Sequence, residues 1–410
     1  MKTNFKVIID SKMKTIRAIL IVTITFIGFI LNGQIHSEKI EIGDRLMISS
    51  KILNEDRQIL IRLPRDYHNS DKRYPVLYVL DGEFFFYQAI SAVDFLSECS
   101  YIYNNPMPEM IVAGIVNVDR NRDYTPTYAP NQLGSLYYPT SGKADLFLKF
   151  FEKELIPEID NKYRTQPFRA LAGWSFGGLF TIHAYTNKPE LFSAYLAISP
   201  SLWWDKDLYV SKFDSIYKNF QFRDKKLTIT WGSLEGGNIG RTVKNGFVPI
   251  MEKMIPEKYL FNFVVIPDED HSFVPYKAFY DGLISVFSDY PLPFEKISKG
   301  YESIAKYYTE LSERYGYKIK ISEWAYMNLI RDLNSKKRYT EALEMAKQYQ
   351  HDYPESPWAV SLKGNTSEKM GDYKKAKEYY ELAITIEKSK PQPDSERIIT
   401  FTNQLNLLSE

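Results

Sequence analysis

The sequence predicts an α/β domain built on a mostly parallel central sheet, followed by an α-helical repeat module. Three observations predict it. Between about residue 40 and residue 290, short apolar runs of strand length alternate with stretches of helical spacing. Several of these runs are apolar at nearly every position, as strands covered on both faces are. After Pro291 and Pro293 the composition shifts to Lys, Glu, Tyr and Ala, with a self-similarity of 34 residues.

The N-terminus reads as an address. Residues from Ile16 to Leu31 are almost entirely apolar, with Arg17 as the only charge. Lys2, Lys6, Lys12 and Lys14 precede the run, and Asn32, Gly33 and Gln34 follow it. Residues 1–34 therefore match the basic, apolar and polar parts of a secretory signal peptide, with cleavage expected near Gly33–Gln34. Met13 is an alternative start. A retained N-terminal anchor is the other reading, although the run is short for a membrane span of about 20 residues. No Cys follows the run, which argues against a lipoprotein anchor. The expected location is periplasmic or secreted, with no stable membrane insertion after processing.

The elements of the first domain follow in order over residues 38–290. Two polar-alternating runs, 40–53 and 57–64, predict antiparallel strands at a sheet edge. Tyr74 to Leu80 predicts a buried strand that ends at Asp81-Gly82, and 84–97 predicts a helix. Met110 to Val118 is the next buried strand, followed by a polar loop from Asp119 to Pro139. A helix over 143–162, a strand over Phe168–Ala172 and a helix over 176–187 come next. Strands at Ala194–Ser199, Leu227–Trp231 and Phe261–Ile266, then a helix over 275–288, complete the set. Ligands of such sheets sit at the carboxyl ends of the strands.

Composition narrows the function. The 410 residues carry 52 Lys+Arg and 51 Asp+Glu, a net charge of +1, which argues against a nucleic-acid partner. A hydrophobic fraction of 44% is that of a globular chain, and the length suggests two or three domains. One cysteine, Cys99, excludes an intrachain disulfide and a multi-cysteine metal site. Five scattered histidines form no ligand-spaced pair, which argues against a zinc enzyme, and the chemistry read below needs neither a metal nor a cofactor.

The chemistry rests on three residues. Gly173-Trp174-Ser175-Phe176-Gly177 matches G-x-S-x-G between an apolar strand and a helix, the context that motif requires. The turn is so tight that side chains two positions either side of Ser175 would collide, and Gly173 and Gly177 remove them. The Phe176 amide then faces the place where an oxyanion forms. The base is read as His271, after the last strand and the acidic run Asp268-Glu269-Asp270. His183, about two turns along the helix that Ser175 opens, points away and reads as packing. The acid is read as Glu235, after the strand Leu227–Trp231; Asp268 and Asp270 are alternates badly placed to reach Nδ1. Gly82 or Glu83 is the expected second oxyanion donor by its backbone N–H, and Asp81 reads as a helix cap. Trp203, Trp204, Arg120, Arg122, Asp123, Tyr124 and Tyr128 follow strand ends and are expected to wall an acyl or alcohol pocket, with ordinary loop packing as the other reading. Arg120 or Arg122 would suit a carboxylate or catecholate group.

These residues fall in six motifs: YPVLYVLDGE (74–83), VDRNRDYTPTY (118–128), GWSFGG (173–178), SPSLWWD (199–205), WGSLEGG (231–237) and EDHSFVP (269–275). Together, over about 40–287, they resemble the putative esterase family of α/β hydrolases, which includes enterochelin-esterase-like and feruloyl-esterase-like enzymes. The resemblance implies an α/β-hydrolase fold and serine hydrolysis of carboxylic esters, with the nucleophile on Ser175 and the base on His271. Family substrates include siderophore esters, acyl esters on plant polysaccharides and thioesters, a range that does not single out one here. An acyltransferase would use the same residues. A non-catalytic binding protein, working through its repeats on a degenerate platform, is the reading from another class.

The region 295–410 reads as repeat rather than enzyme. Trp324 and Trp358, Tyr339 and Tyr373, and Ala342 and Ala376 are each 34 residues apart. The period resembles the tetratricopeptide repeat, with helices expected near 322–335, 339–352, 357–370 and 373–388 and a degenerate one near 298–314. Repeats need neighbours to hide their apolar faces, so this module is expected to pack on the first domain or to bind a protein partner.

Overall fold

The computed structural model describes Met13, Ser37 and residues 39–98, 104–212 and 225–408. The expected signal-peptide run from Ile16 to Leu31, its cleavage site and Cys99 lie outside the described residues. The chain divides into two units, Met1–Ile42 and Gly43–Glu410, and the second contains all of the architecture below. Among the described residues, no helix is long and apolar enough to cross a membrane.

Among the described residues, the sheet has eight strands. Strand β1 (Asp44–Ser50) pairs antiparallel with β2 (Glu55–Arg62), which pairs antiparallel with β4 (Ile111–Ile115). The rest is parallel: β4, β3 (Tyr74–Val79), β7 (Thr165–Trp174), β8 (Ala194–Ile198), β9 (Lys226–Gly232) and β10 (Phe261–Ile266), in that order. A separate two-residue pair, β5 (Asn131–Gln132) and β6 (Leu136–Tyr137), sits in the long loop after β4. This is a mostly parallel α/β sheet, and the near-continuous apolar runs find their reason in it. Val76 and Tyr78 of β3 enter one core and Leu77 and Val79 the other. A strand with cores on both sides has no solvent face to mark with polar residues.

Helices cover both faces. On one side lie a broken helix and α5. The broken helix is α3 (Ala144–Phe150), a π-helical turn (Phe151–Leu155) and α4 (Ile156–Lys162); α5 is Phe176–Asn187. On the other lie α1 (Gly82–Glu98) and α9 (Val274–Val286). The loop expected over 119–139 contains a short helix, α2 (Arg120–Tyr124), whose start the Asp119 carboxylate caps by accepting from the Arg122 amide at 3.0 Å. Sequence patterning also passed over α6 (Trp204–Ser211), and α7 (Gly237–Thr242) with its continuation α8 (Val248–Met254).

The C-terminal region is helical: α10 (Phe294–Ser298), α11 (Tyr301–Tyr315), α12 (Glu323–Ser335), α13 (Tyr339–Asp352), α14 (Pro357–Lys369), α15 (Tyr373–Lys388) and α16 (Ser395–Leu407). The small residues that recur in the repeat sit at helix crossings. Ala342 and Ala376 are fully buried, and a Cβ on Gly364 would lie 2.7 Å from the Tyr380 ring. Helix α16 closes the array by placing Phe401 edge-on against Trp358.

The module shares a core with the sheet. Apolar residues of α11 to α14 form one continuous cluster with the α1–α9 face. Phe168 of β7 stacks on Tyr315 with centroids 4.7 Å apart. Beneath it, the buried Lys226 ammonium pairs with Asp289 and lies 3.1 Å from the Tyr315 hydroxyl, which donates to the same carboxylate at 3.0 Å. Burial pulls the Lys226 ammonium below its ordinary value, and Asp289 opposes that pull. Removing one partner of such a pair leaves a charge buried without compensation. Asp289→Ala is expected to cost about 3–5 kcal/mol in chemical unfolding; unchanged stability would show the network to be dispensable.

Candidate active site

Four adjacent parallel strands, β7 to β10, end side by side, and the turns that leave them build the site. After β7 the chain enters α5 at once. Ser175 takes the positive-φ conformation (φ 57°, ψ −111°) that this turn forces; two positions before it Gly173 has no room for a side chain, and two positions after it Gly177 has little. A Cβ on Gly173 would lie 2.4 Å from the Gly177 carbonyl oxygen. One on Gly177 would lie 3.2 Å from an Asp81 carboxylate oxygen.

After β9, the Gly232 to Glu235 turn carries the Glu235 side chain inward, where it is 1% exposed. After β10, the chain brings His271 back from 96 positions downstream of Ser175. The Ser175 Oγ lies 3.0 Å from His271 Nε2, and His271 Nδ1 lies 2.8 Å from Glu235 Oε2. The other carboxylate oxygen of Glu235 accepts from the Gly232 amide at 2.8 Å and from the Ser199 hydroxyl. The structure thus brings Ser175, His271 and Glu235 into one hydrogen-bonded row. Asp268 and Asp270 stay out of it. Asp268 occupies a positive-φ turn position, and the Asp270 carboxylate accepts from the Ser272 and Phe273 amides at 2.8 and 3.2 Å. His183 is buried elsewhere, against the Tyr209 hydroxyl at 2.7 Å and Asp145 at 2.9 Å.

Residues beyond the expected set complete the surroundings. Trp174 donates its indole N–H to the His271 carbonyl at 3.0 Å and lays its ring against the imidazole, with centroids 4.9 Å apart. Ser201, on the turn after β8, places its hydroxyl 3.1 Å from Ser175 Oγ. The available signal was the motif SPSLWWD, whose first and third residues meet Glu235 and Ser175. Among the described residues, no three His, Cys, Asp or Glu side chains group so as to hold a metal ion.

The turn after β3 lies beside the elbow. Gly82 is required there, because a Cβ would meet the Gly114 backbone at 2.6 Å. Glu83 accepts from the Asn117 side chain at 2.7 Å. Asp81 does not cap α1 with its side chain. The carboxylate receives Arg120 at 2.7 and 3.1 Å and Asn117 at 2.6 Å. Burial pushes the Asp81 carboxyl up from its ordinary range, and Arg120 opposes the shift.

This pairing corrects the expected pocket walls. Arg120 is committed to Asp81 and to the Trp174 carbonyl at 3.1 Å, so it ties the β3 turn to the elbow instead of waiting for an anionic ligand. Arg122 is likewise spent on Glu55 and Asp123. Tyr124 and Trp204 are fully buried and present no face to a ligand. The Tyr124 hydroxyl accepts from the Asp81 amide at 3.2 Å, and the Trp204 indole donates to Thr127 at 3.1 Å. They back the wall. Trp203 remains partly exposed and packs on Phe176, with centroids 5.8 Å apart.

The chain is similar to known proteins. The family model described as "Putative esterase" matches residues 50–231. The ferri-bacillibactin esterase BesA of Bacillus subtilis is 31% identical over 179 residues, 41% of this chain and 61% of that protein. The siderophore triacetylfusarinine C esterase of Aspergillus fumigatus is 30% identical over 191 residues, 43% of this chain and 63% of that one. The chain therefore spans somewhat under two thirds of the length of these curated relatives. A solved IroE-like serine hydrolase from Shewanella oneidensis is 31% identical; the match covers 75% of this chain and 99% of that one, with a TM-score of 0.64.

The crowding at the elbow is directly testable. Gly173→Ala sets a methyl group against backbone that cannot move aside. It is expected to destabilise the fold by about 1–3 kcal/mol or more in chemical unfolding. Wild-type stability would show that the turn relaxes freely.

Proposed function

The chain belongs to the Putative esterase family, and on that premise we propose that it is a serine hydrolase of carboxylic esters. The observation that carries the proposal is the unbroken row from Ser175 Oγ through the imidazole of His271 to the Glu235 carboxylate. Ser175 attacks the ester carbonyl carbon. A bond forms between Oγ and that carbon as the hydroxyl proton passes to His271 Nε2, and the carbonyl electron pair moves onto oxygen. The amide of Phe176, with that of Gly82 or Glu83, serves as donor to this oxyanion. Collapse breaks the bond to the leaving alcohol, which takes the proton from His271. Water then attacks the acyl-enzyme, with His271 again as base, and releases the acid. Glu235 holds the Nδ1 proton and stabilises the imidazolium.

The substrate class proposed is an ester-linked siderophore. Support comes from the relatives named as siderophore esterases. The N-terminal segment acts as a cleaved signal peptide in this reading, so the enzyme works outside the cytoplasm. The helical module serves as a tetratricopeptide-like cap on the hydrolase domain, and the shared apolar core supports that role.

A fluorophosphonate probe tests the nucleophile. Wild-type protein should be labelled and Ser175→Ala should not; an unlabelled wild type would favour a non-catalytic binding protein. On an ester panel of aryl acetates, feruloyl sugars and catecholate siderophores, His271→Ala should lower turnover by several orders of magnitude. Glu235→Gln should lower it by less, and an unchanged rate would remove Glu235 from the mechanism.

A further inference from the structure

Ser201 is not used by the mechanism above, yet its hydroxyl lies 3.1 Å from the Ser175 hydroxyl. The proton inventory of the row fixes the direction of that contact. Glu235 Oε2 is a carboxylate oxygen and accepts, so Nδ1 of His271 carries the imidazole proton. Nε2 is then the bare acceptor, and the Ser175 hydroxyl donates its only proton to it. The Ser175 oxygen has nothing left to donate to Ser201, so Ser201 is the donor. Ser201 is only 1% exposed, which denies its proton the alternative of bulk water.

From this geometry, and resting on the reading of Ser175 as nucleophile, we infer that Ser201 is a further catalytic residue whose hydroxyl stabilises the charge on Ser175 Oγ. In the resting enzyme the bond joins two neutral hydroxyls. As Ser175 gives its proton to His271, its oxygen becomes alkoxide-like, and the same bond becomes charge-assisted, about twice as strong. An interaction that strengthens on the way to the transition state accelerates the step. It acts a second time in deacylation, when the bond between the acyl carbon and Oγ breaks. That oxygen then leaves with the electron pair before His271 returns the proton.

The backbone holds Ser201 in place for this. Its amide donates to the Ser175 carbonyl at 3.0 Å, so Ser201 grips the nucleophile at both ends. Two positions earlier, Ser199 takes φ 41° and donates its hydroxyl to Glu235, while its amide donates to the Thr230 carbonyl at 2.8 Å. Between them Pro200 sits against Gly178, where a Cβ would come within 2.9 Å of it. One rigid three-residue turn therefore supports the acid and the nucleophile together.

The test is the rate of fluorophosphonate labelling per folded molecule, with turnover of an aryl acetate beside it. Losing a hydrogen bond to a charged group corresponds to about 10- to 100-fold in rate, and Ser201→Ala should slow both readings by that factor with KM little changed. Ser201→Cys fills the same space with a weak donor and should fall between the two proteins. Thermal melting counts the folded fraction, so a variant that is merely less stable still reports its rate per folded molecule. Variants that label and turn over at the wild-type rate per folded molecule would overturn the role of Ser201, while labelling of wild type and not of Ser175→Ala keeps the nucleophile. A wild type that does not label removes both.

Discussion

Everything at this site depends on the lack of room between two backbones. Where β7 turns into α5, the Gly173 Cα and the Gly177 carbonyl approach so closely that any side chain on Gly173 would overlap it, at 2.4 Å. That crowding forces Ser175 into positive φ and leaves its hydroxyl standing clear of the sheet at the start of a helix. The strain is held by ordinary means. The Ser175 amide bonds to the Ile198 carbonyl at 2.9 Å, and its carbonyl receives the Leu179 and Ser201 amides. A residue in such a conformation persists only when its surroundings over-determine it.

The parallel sheet supplies the rest by adjacency. Strands β7, β8, β9 and β10 are neighbours in both sequence order and space, so four consecutive turns converge on one edge. They deliver Ser175, the Ser199–Ser201 turn, Glu235 and His271. On the other side of β7, the β3 turn brings Asp81, locked by Arg120 and Asn117. Arg120 is the joint between those halves, since it reaches both Asp81 and the Trp174 carbonyl. The site is rigid because its parts are held by backbone and by paired charge, with little left to loops alone.

Much of this was legible in the amino-acid order. Strands buried on both faces announce themselves as unbroken apolar runs, and β3 and β8 are of that kind. Ser175, Glu235 and His271 each follow a strand of the parallel series β7, β9 and β10, and parallel neighbours bring such turns together. What a single sequence does not encode is which charges find each other. Arg120 and Arg122 look like free cations on a polar loop, and only the fold reveals Asp81, Asp123 and Glu55 beside them. Tyr124 and Trp204 look like rim aromatics because aromatic residues suit cores and clefts alike. Helix α7 escaped notice because Gly236, Gly237 and Gly240 are residues of turns. Ser201 escaped because the motif SPSLWWD does not say which of its hydroxyls meets Ser175 until a distance is known.

The helical module keeps the same economy of contact. Its first helices complete the core that α1 and α9 begin, and Tyr315 caps the foot of β7 and the buried Lys226. Among the described residues, the α1–α9 face of the sheet and helices α11 to α14 thus share one packed core. The central claim concerns a single oxygen, and peptide mapping by mass spectrometry after reaction with a fluorophosphonate reads it most directly. The account predicts one adduct, localised to Ser175 by fragmentation of the peptide that carries it. An adduct on Ser201, 3.1 Å away, or on no serine of this site, would contradict it.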